Sequence, residues 1–582
     1  MRRAGVHRWL LSVALLRAVV LLVYALPGAS QETKPSASTQ DADAQHQPAA
    51  PLSPGPAISP SAQPSDVPPD PLGEARVLAR NGDFDAAINK YRQLLQEKPK
   101  SPDAYAGLTR VYLKKKDVTQ ANETVTKGLQ VTDSWPVHVA LGEVYFRQGK
   151  ISEAEKEWVN VINSGHRAAR AYLGLARVRW ALSMNKSAKA LIQKAHELDP
   201  KDPDIERHWI NTLNRRERIK NLENYLVTAG NDDPERPSVQ RQLDYLKLRA
   251  GPDMMCALMG KVTSTETPLV RMLTDPEHLR GYGLSVAVNG QKSNLLLDTG
   301  ASGILINRGM AERASVTKLT ETRIRGIGDQ GSKSGYVALA SSIRVGDLEF
   351  RNCPVEVIES RSVVGEHGLI GADVFEEFLV DIDFPTEKLR LQGLPKRSDE
   401  TGQVISLNVG EKSEDDENRD DDVAAHPEKL AHSGPEDRYI APEMQSYTPV
   451  YRFGHDLLVP TKVGDTPAKL FLLDTGAIDN MISSDAAREV TKVGRDSHVI
   501  LKGLSGSVSR VYSARKAVLQ FGHLRQENQD MLAFDLASIS DNAGTEISGT
   551  LGFSMLRLLE VKIDYRDGLV DFSYEPKRLI HF

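Results

Sequence analysis

The sequence predicts a multidomain chain in which an α-solenoid of helical hairpins precedes a pair of related all-β halves. Three observations point this way. Ala87, Ala121, Ala154 and Ala188 recur at spacings of 34, 33 and 34 residues, a helical-repeat interval. An apolar run ending in Asp-Thr-Gly-Ala occurs twice, reaching its acid at Asp298 and again at Asp474. At 582 residues the chain is too long for one core, and polar stretches divide it. A net charge of −5 argues against nucleic acid as a main partner, and the 14 histidines show no metal-like clustering.

Residues 1–30 read as an export signal. Arg2 and Arg3 form a basic start, residues 9–26 are apolar apart from Ser12 and Arg17, and Gly28-Ala29-Ser30 offers small residues for cleavage. An uncleaved anchor is the rival reading, because the apolar run is long; residues 9–26 would then be a membrane tether. Arg17 near the middle counts against a spanning helix. No cysteine follows the run, which argues against a lipoprotein. Residues 31–70 are rich in Pro, Ala, Ser and Gln and cannot bury a core, so they are expected to be a disordered spacer.

From residue 71 to 248 the pattern is helical and repetitive. Gly82-Asp83-Phe84-Asp85-Ala86-Ala87, Leu141-Gly142-Glu143-Val144-Tyr145 and Ala195-His196-Glu197-Leu198-Asp199-Pro200 surround the spaced alanines. Small residues are needed where paired helices approach closely, and prolines end the second helix of each pair. These motifs resemble tetratricopeptide repeats, about four between Pro71 and Pro203, with a degenerate fifth pair towards Leu248. The resemblance implies a concave groove for a protein or peptide partner. A spacer or oligomerisation arm is the plainer alternative.

Residues 249–278 read as a connector. From residue 279 the period falls towards two, as in Leu284-Ser285-Val286-Ala287-Val288 before the hairpin-like Asn289-Gly290. Residues 279–395 and 446–582 form the two β halves. Residues 396–445 between them carry Glu414-Asp415-Asp416-Glu417 and Asp420-Asp421-Asp422 and read as an acidic, disordered linker. Cys256 and Cys353 cannot make a zinc site; a single bridge and two free buried thiols are both open readings.

An apolar run before an acid suggests a strand buried on both faces. Ending it in a carboxylate at the rim of a core is costly unless the acid is paired or neutralised. Two such acids meeting on a shared axis would share one proton, because both cannot ionise at close range. Asp298 to Gly346 and Asp474 to Gly522 are each 48 residues apart, and Gly371 to Asp383 and Gly552 to Asp564 are each 12. The copies are offset by 176 residues, and matching internal spacings of this kind mark one unit present twice.

Downstream of each acid lies a second element, Gly368-Leu369-Ile370-Gly371 and Gly549-Thr550-Leu551-Gly552. With these, the two segments resemble the retropepsin-like and pepsin-like aspartic proteases. The resemblance implies a bilobal all-β pair with Asp298 and Asp474 as a catalytic dyad that activates a water to hydrolyse a polypeptide substrate, with no metal and no cofactor. It implies that Thr299 and Thr475 brace the two loops across the axis and that Gly300 and Gly476 allow a tight turn. Gly326, Ile327 and Gly328, and Gly503, Leu504 and Gly506, resemble flap tips, although neither copy carries the aromatic of pepsin-like flaps. Ala301 and Ala477 stand where pepsin-like enzymes commonly carry a hydroxyl residue. A lower dyad pKa that is not strongly depressed, and a mildly acidic to near-neutral optimum, are therefore expected. Asp383 and Asp564 also repeat and read as structural.

The leading functional expectation is an exported aspartic endopeptidase whose helical repeats recruit a substrate or partner. A non-catalytic repeat scaffold with a relic protease fold, and a regulatory protease for a single substrate, are the alternatives. The combination looks bacterial by resemblance, which would place the chain in the periplasm or at the cell surface.

Overall fold

In the computed structural model the description covers residues 70–228, 233, 235–248, 256–359, 368–397, 437–495, 499, 501–508 and 510–576. The expected signal or anchor, the spacer up to residue 69 and the acidic run at 414–422 lie outside them.

Eleven helices run between Pro71 and Leu248 among the described residues. Their starts are written locally. Asp83, Ser101, Asp117 and Asp202 cap free amides at the beginnings of helices. Pro102 and Pro203 open helices, where the missing N–H costs nothing. The proline signal therefore marks the next helix's start as well as the previous helix's end. The four spaced alanines are all fully buried, as close helix pairing demands. Trp158, also fully buried, fills the space left by Gly142 and Gly174; a Cβ on either glycine would collide with its indole. The indole Nε1 donates to the Val139 carbonyl at 3.1 Å.

The two β halves share one plan. In the first, strand Gln291–Asp298 lies parallel to Gly368–Gly371, which runs antiparallel to Ile304–Asn307. In the second, Lys469–Asp474 lies parallel to Gly549–Gly552, which runs antiparallel to Met481–Ser483. In both, the last glycine of the downstream strand stands in register with the acid: Gly371 with Asp298, Gly552 with Asp474. Each glycine passes behind the loop that follows the acid, and a Cβ there would meet the Ala301 and Asp479 carbonyls respectively.

A six-stranded sheet joins the halves within one chain. Its order is Thr448–Pro449, Leu569–Ser573, Glu560–Asp564, Phe378–Asp383, Lys388–Gly393 and Ser264–Pro268. The junction is the antiparallel pair of Phe378–Asp383 with Glu560–Asp564. Above it, Tyr282 and Phe384 of the first half stack edge-on against Phe553 of the second, with ring centroids 5.6 and 6.0 Å away. Asp383 accepts from Arg390 at 3.0 Å and Asp564 from the Asp567 amide at 2.9 Å, both inside this sheet.

Two segments differ from the sequence reading. The connector at 249–278 contains strands Ala257–Leu258, Ser264–Pro268 and Val270–Asp275. Ser264–Pro268 is an edge strand with no buried residue, so it lacks the apolar alternation that would mark it. Cys256, beside the first of these strands, is bridged to Cys353. The end of the expected linker, residues 437–445, is packed. Ala441 and Met444 are buried against Leu569, and buried Asp567 accepts from Arg397 at 2.7 Å and from the Tyr439 amide at 2.8 Å.

The helical array is docked on the second half. Phe146, Trp158 and Val178 share a cluster with Leu458, Leu470, Leu472 and Ile547. Thr545 Oγ1 donates to the Phe146 carbonyl at 2.7 Å, and Asp437 accepts from Ser187 Oγ at 2.6 Å. Trp158→Ala would empty the centre of this cluster. It is expected to cost about 3–5 kcal/mol, read as a lower urea midpoint for the full chain.

Candidate active site

Three buried leucines, Leu295, Leu296 and Leu297, carry the strand of the first half to Asp298, and buried Phe471, Leu472 and Leu473 carry that of the second to Asp474. The loops that follow meet face to face. The Thr299 amide donates to Thr475 Oγ1 at 3.0 Å, and the Thr475 amide donates to Thr299 Oγ1 at 3.0 Å. Each hydroxyl then donates to the carbonyl one residue before the opposite acid: Thr299 to Leu473 at 2.7 Å, Thr475 to Leu297 at 2.9 Å. The four bonds are buried and fix the height and angle of both loops.

Held this way, each carboxylate lies over the other half's glycine. An ideal Cβ on Gly300 would stand 2.9 Å from the Asp474 carboxyl carbon, and one on Gly476 would overlap the Asp298 carboxylate. Neither glycine has a positive φ. Both glycines lie in turns, as expected, and they also leave room for the opposing acid.

Backbone amides hold both acids. Gly300 donates to Asp298 at 2.9 Å, while Gly476 and Ala477 donate to Asp474 at 3.0 and 2.9 Å. The two carboxyl groups face each other across the axis, each against the opposite loop's glycine. Burial pushes both above the usual carboxylate range, and the neighbouring Asp298 charge pushes Asp474 up further. The amide donors oppose this rise at both residues, so one proton belongs to the pair rather than to either acid.

The flap-like turns meet each other. The Ser505 amide donates to the Ile327 carbonyl at 2.9 Å, the Gln330 amide to the Ser505 carbonyl at 2.8 Å, and the Gly326 amide to Ser505 Oγ at 3.0 Å. Gly328 and Gly506 have φ of +133° and +96°, which side chains rarely adopt. Gly503 carries no Cβ where the Ile327 carbonyl passes. The tips cross over. Ile327 of the first half packs on Ala477, Met481 and Leu536 of the second, and Leu504 of the second packs on Leu296, Leu305 and Leu369 of the first.

Two supporting residues had no repeat signal. Asp373 accepts from Ser302 Oγ at 2.7 Å and from the Gly303 amide at 2.9 Å, tying the downstream element to the loop that follows Asp298. Asn480 ties the second pair of elements together from the other side, accepting from the Gly552 amide at 2.7 Å. The same task falls to non-equivalent positions, so comparing the copies does not reveal either residue. Among the described residues no group of three or more His, Cys, Asp or Glu side chains could hold a metal ion.

This fold and site define an aspartic-protease class of architecture, and the family comparison agrees. The aspartyl protease family model matches residues 284–374 and 459–555, and tetratricopeptide repeat models match 78–133 and 139–203. The chain carries aspartyl protease domains together with tetratricopeptide repeats. It is 29% identical over 112 residues to the UBA domain-containing protein Mud1 of Schizosaccharomyces pombe, covering 19% of this chain and 32% of Mud1. It is 30% identical over 113 residues to DNA damage-inducible protein 1 of Chaetomium globosum, covering 19% of this chain and 24% of that protein. The chain thus spans about a third or less of these relatives. Among solved structures, the aspartic proteinase from Irpex lacteus aligns at 13% identity with a TM-score of 0.32, covering 55% of this chain and 99% of that one. A thermophilic TPR protein from Thermus thermophilus aligns at 21% identity with a TM-score of 0.25, covering 31% of this chain and 98% of that one.

Two outcomes are expected. Thr475→Val leaves the buried Thr299 amide without an acceptor and should cost about 1–3 kcal/mol in urea unfolding, whereas Thr475→Ser should cost much less. Asp474→Asn should raise the melting temperature relative to wild type at neutral pH. An acid whose folded pKa is raised destabilises the fold as pH rises above its unfolded pKa. The gap between variant and wild type should therefore shrink as pH falls towards the ordinary carboxylate range.

Proposed function

We propose that the chain is an exported aspartic endopeptidase that hydrolyses peptide bonds with a water activated between Asp298 and Asp474, and that the helical repeats recruit its substrate or partner. The observation that carries this is the reciprocal bonding of Thr299 and Thr475, which holds the Asp298 and Asp474 carboxyl groups face to face, where they would share one proton. In such a pair the ionised carboxylate takes a proton from the water as it attacks the scissile carbonyl. The protonated carboxyl donates to the carbonyl oxygen, and the leaving amine is then protonated. Gly326 to Gly328 and Gly503 to Gly506 would cover the substrate from above. The Cys256–Cys353 bridge supports an oxidising compartment, in keeping with export to the periplasm or cell surface.

The test is cleavage of a peptide library by the full chain across a pH series, beside Asp298→Asn and Asp474→Asn. Each substitution should abolish turnover, and mixing the two variants should not restore it, because the halves pair within one chain. Turnover should peak between mildly acidic and neutral pH. A peak at about pH 2, or full activity in either variant, would refute the assignment.

A further inference from the structure

The concave face of the helical array holds a cavity of about 320 Å³ whose far wall belongs to the protease, at Asp541 and Gly544. Apart from Lys116 and Glu235, which lie just outside helices, the remaining lining comes from the first helices of successive hairpins, a surface suited to an extended ligand. Seven Lys and Arg side chains face four carboxylates in it. Some of these cations are neutralised within the array; Arg170, for example, binds Asp202 and Asp204.

Three are placed differently. Among the described residues Arg177 makes no ion pair; its guanidinium lies over the Phe146 ring, 4.1 Å from the centroid. Burial lowers its pKa to about 10; the Glu143 and Asp204 charges oppose the fall, and Arg207 and Arg147 add to it. Arg147 and Lys116 bind a carboxylate from outside the array: Asp541 of the protease, 2.9 Å from Lys116 Nζ and ion-paired to Arg147. Asp541 thus occupies, as an internal acid, the position that an acidic ligand of the groove would seek.

Asp541 sits on the short helix Ala537–Ala543, which also reaches the flap-like turns. Its neighbour Asn542 accepts from Arg325 at 3.2 Å, one residue before Gly326. Ile539 packs both on the cluster that holds Ile327 and on the cluster that holds Trp158 and Phe146. One helix therefore touches the groove and the cover of the dyad.

We propose that this cavity is a regulatory site for an acidic polypeptide segment. Its carboxylates pair with Arg177 and displace Asp541 from Arg147 and Lys116, and the released helix loosens the flap-like turns. The inference rests on reading the repeats as a partner-binding module and names the chemistry of the partner. Coupling requires that the ligand bind the two states differently, and the exchange of Asp541 for a ligand carboxylate supplies that difference. Arginine suits such a site because its planar fork pairs with carboxylates in two bonds.

The test uses the full chain carrying Asp298→Asn, so that binding is read without cleavage and independently of the dyad assignment. A short fluorescent peptide alternating Glu with Gly and Ser is titrated by anisotropy, beside a Lys-containing peptide of equal length. The acidic peptide should bind preferentially, with affinity that falls as salt rises. Arg177→Gln should weaken it about tenfold or more, the loss expected for a hydrogen bond to a charged group. Asp541→Asn should strengthen it by removing the internal competitor. Hydrogen exchange at residues 326–330 and 503–507 should rise with the peptide bound, and in Asp541→Asn without it. Equal binding of both peptides, or unchanged affinity in Arg177→Gln with its melting temperature intact, would overturn the site. Tight acidic-peptide binding with no change in exchange at the two turns would overturn the coupling.

Discussion

Everything around the site depends on the four hydrogen bonds between Thr299 and Thr475. Each hydroxyl accepts the amide of the opposite loop and donates to a carbonyl of the opposite half, so the amide and hydroxyl of both threonines are satisfied. The arrangement is satisfied only when both loops are present at the same height. It thereby forces two carboxyl groups into a volume where both cannot ionise, and it explains why Gly300 and Gly476 carry no side chain.

The rest of the β region holds that geometry still. The sheet joining the halves and the aromatic contact of Tyr282 and Phe384 with Phe553 make one platform under both loops. Close-packed interiors transmit small displacements rather than absorbing them, so a shift in either half is felt at the dyad. The halves are nonetheless unequal. Asp474 accepts two amides of its own loop and Asp298 one of its own, and the second half alone carries Leu470 and Leu472 in the cluster that docks the helices.

That docking changes what the helical array is. Its face is partly closed by protease residues, and Thr545 is bonded to the Phe146 carbonyl in a buried contact. An element docked through a fully buried apolar cluster moves with its support, unlike a domain tethered by a polar linker. The cavity and the flap-like turns consequently share one short helix, Ala537–Ala543.

The plan is written along the chain: two copies of an apolar strand ending in Asp-Thr-Gly-Ala, glycine-bounded strands downstream of each, and a helical array spaced by buried alanines. These are legible because periodicity and duplication are local properties. Ser264–Pro268 is not legible, because an exposed edge strand needs no apolar alternation and is defined only by the strand it pairs with. Nor are Asp373 and Asn480, which perform one task from unrelated positions. Only the folded chain shows that the halves pair within one molecule, that Cys256 meets Cys353, that residues 437–445 pack on the second half, and that each flap tip rests on the opposite half. All of these are contacts between residues distant along the chain, chosen by shape and charge after the local elements exist.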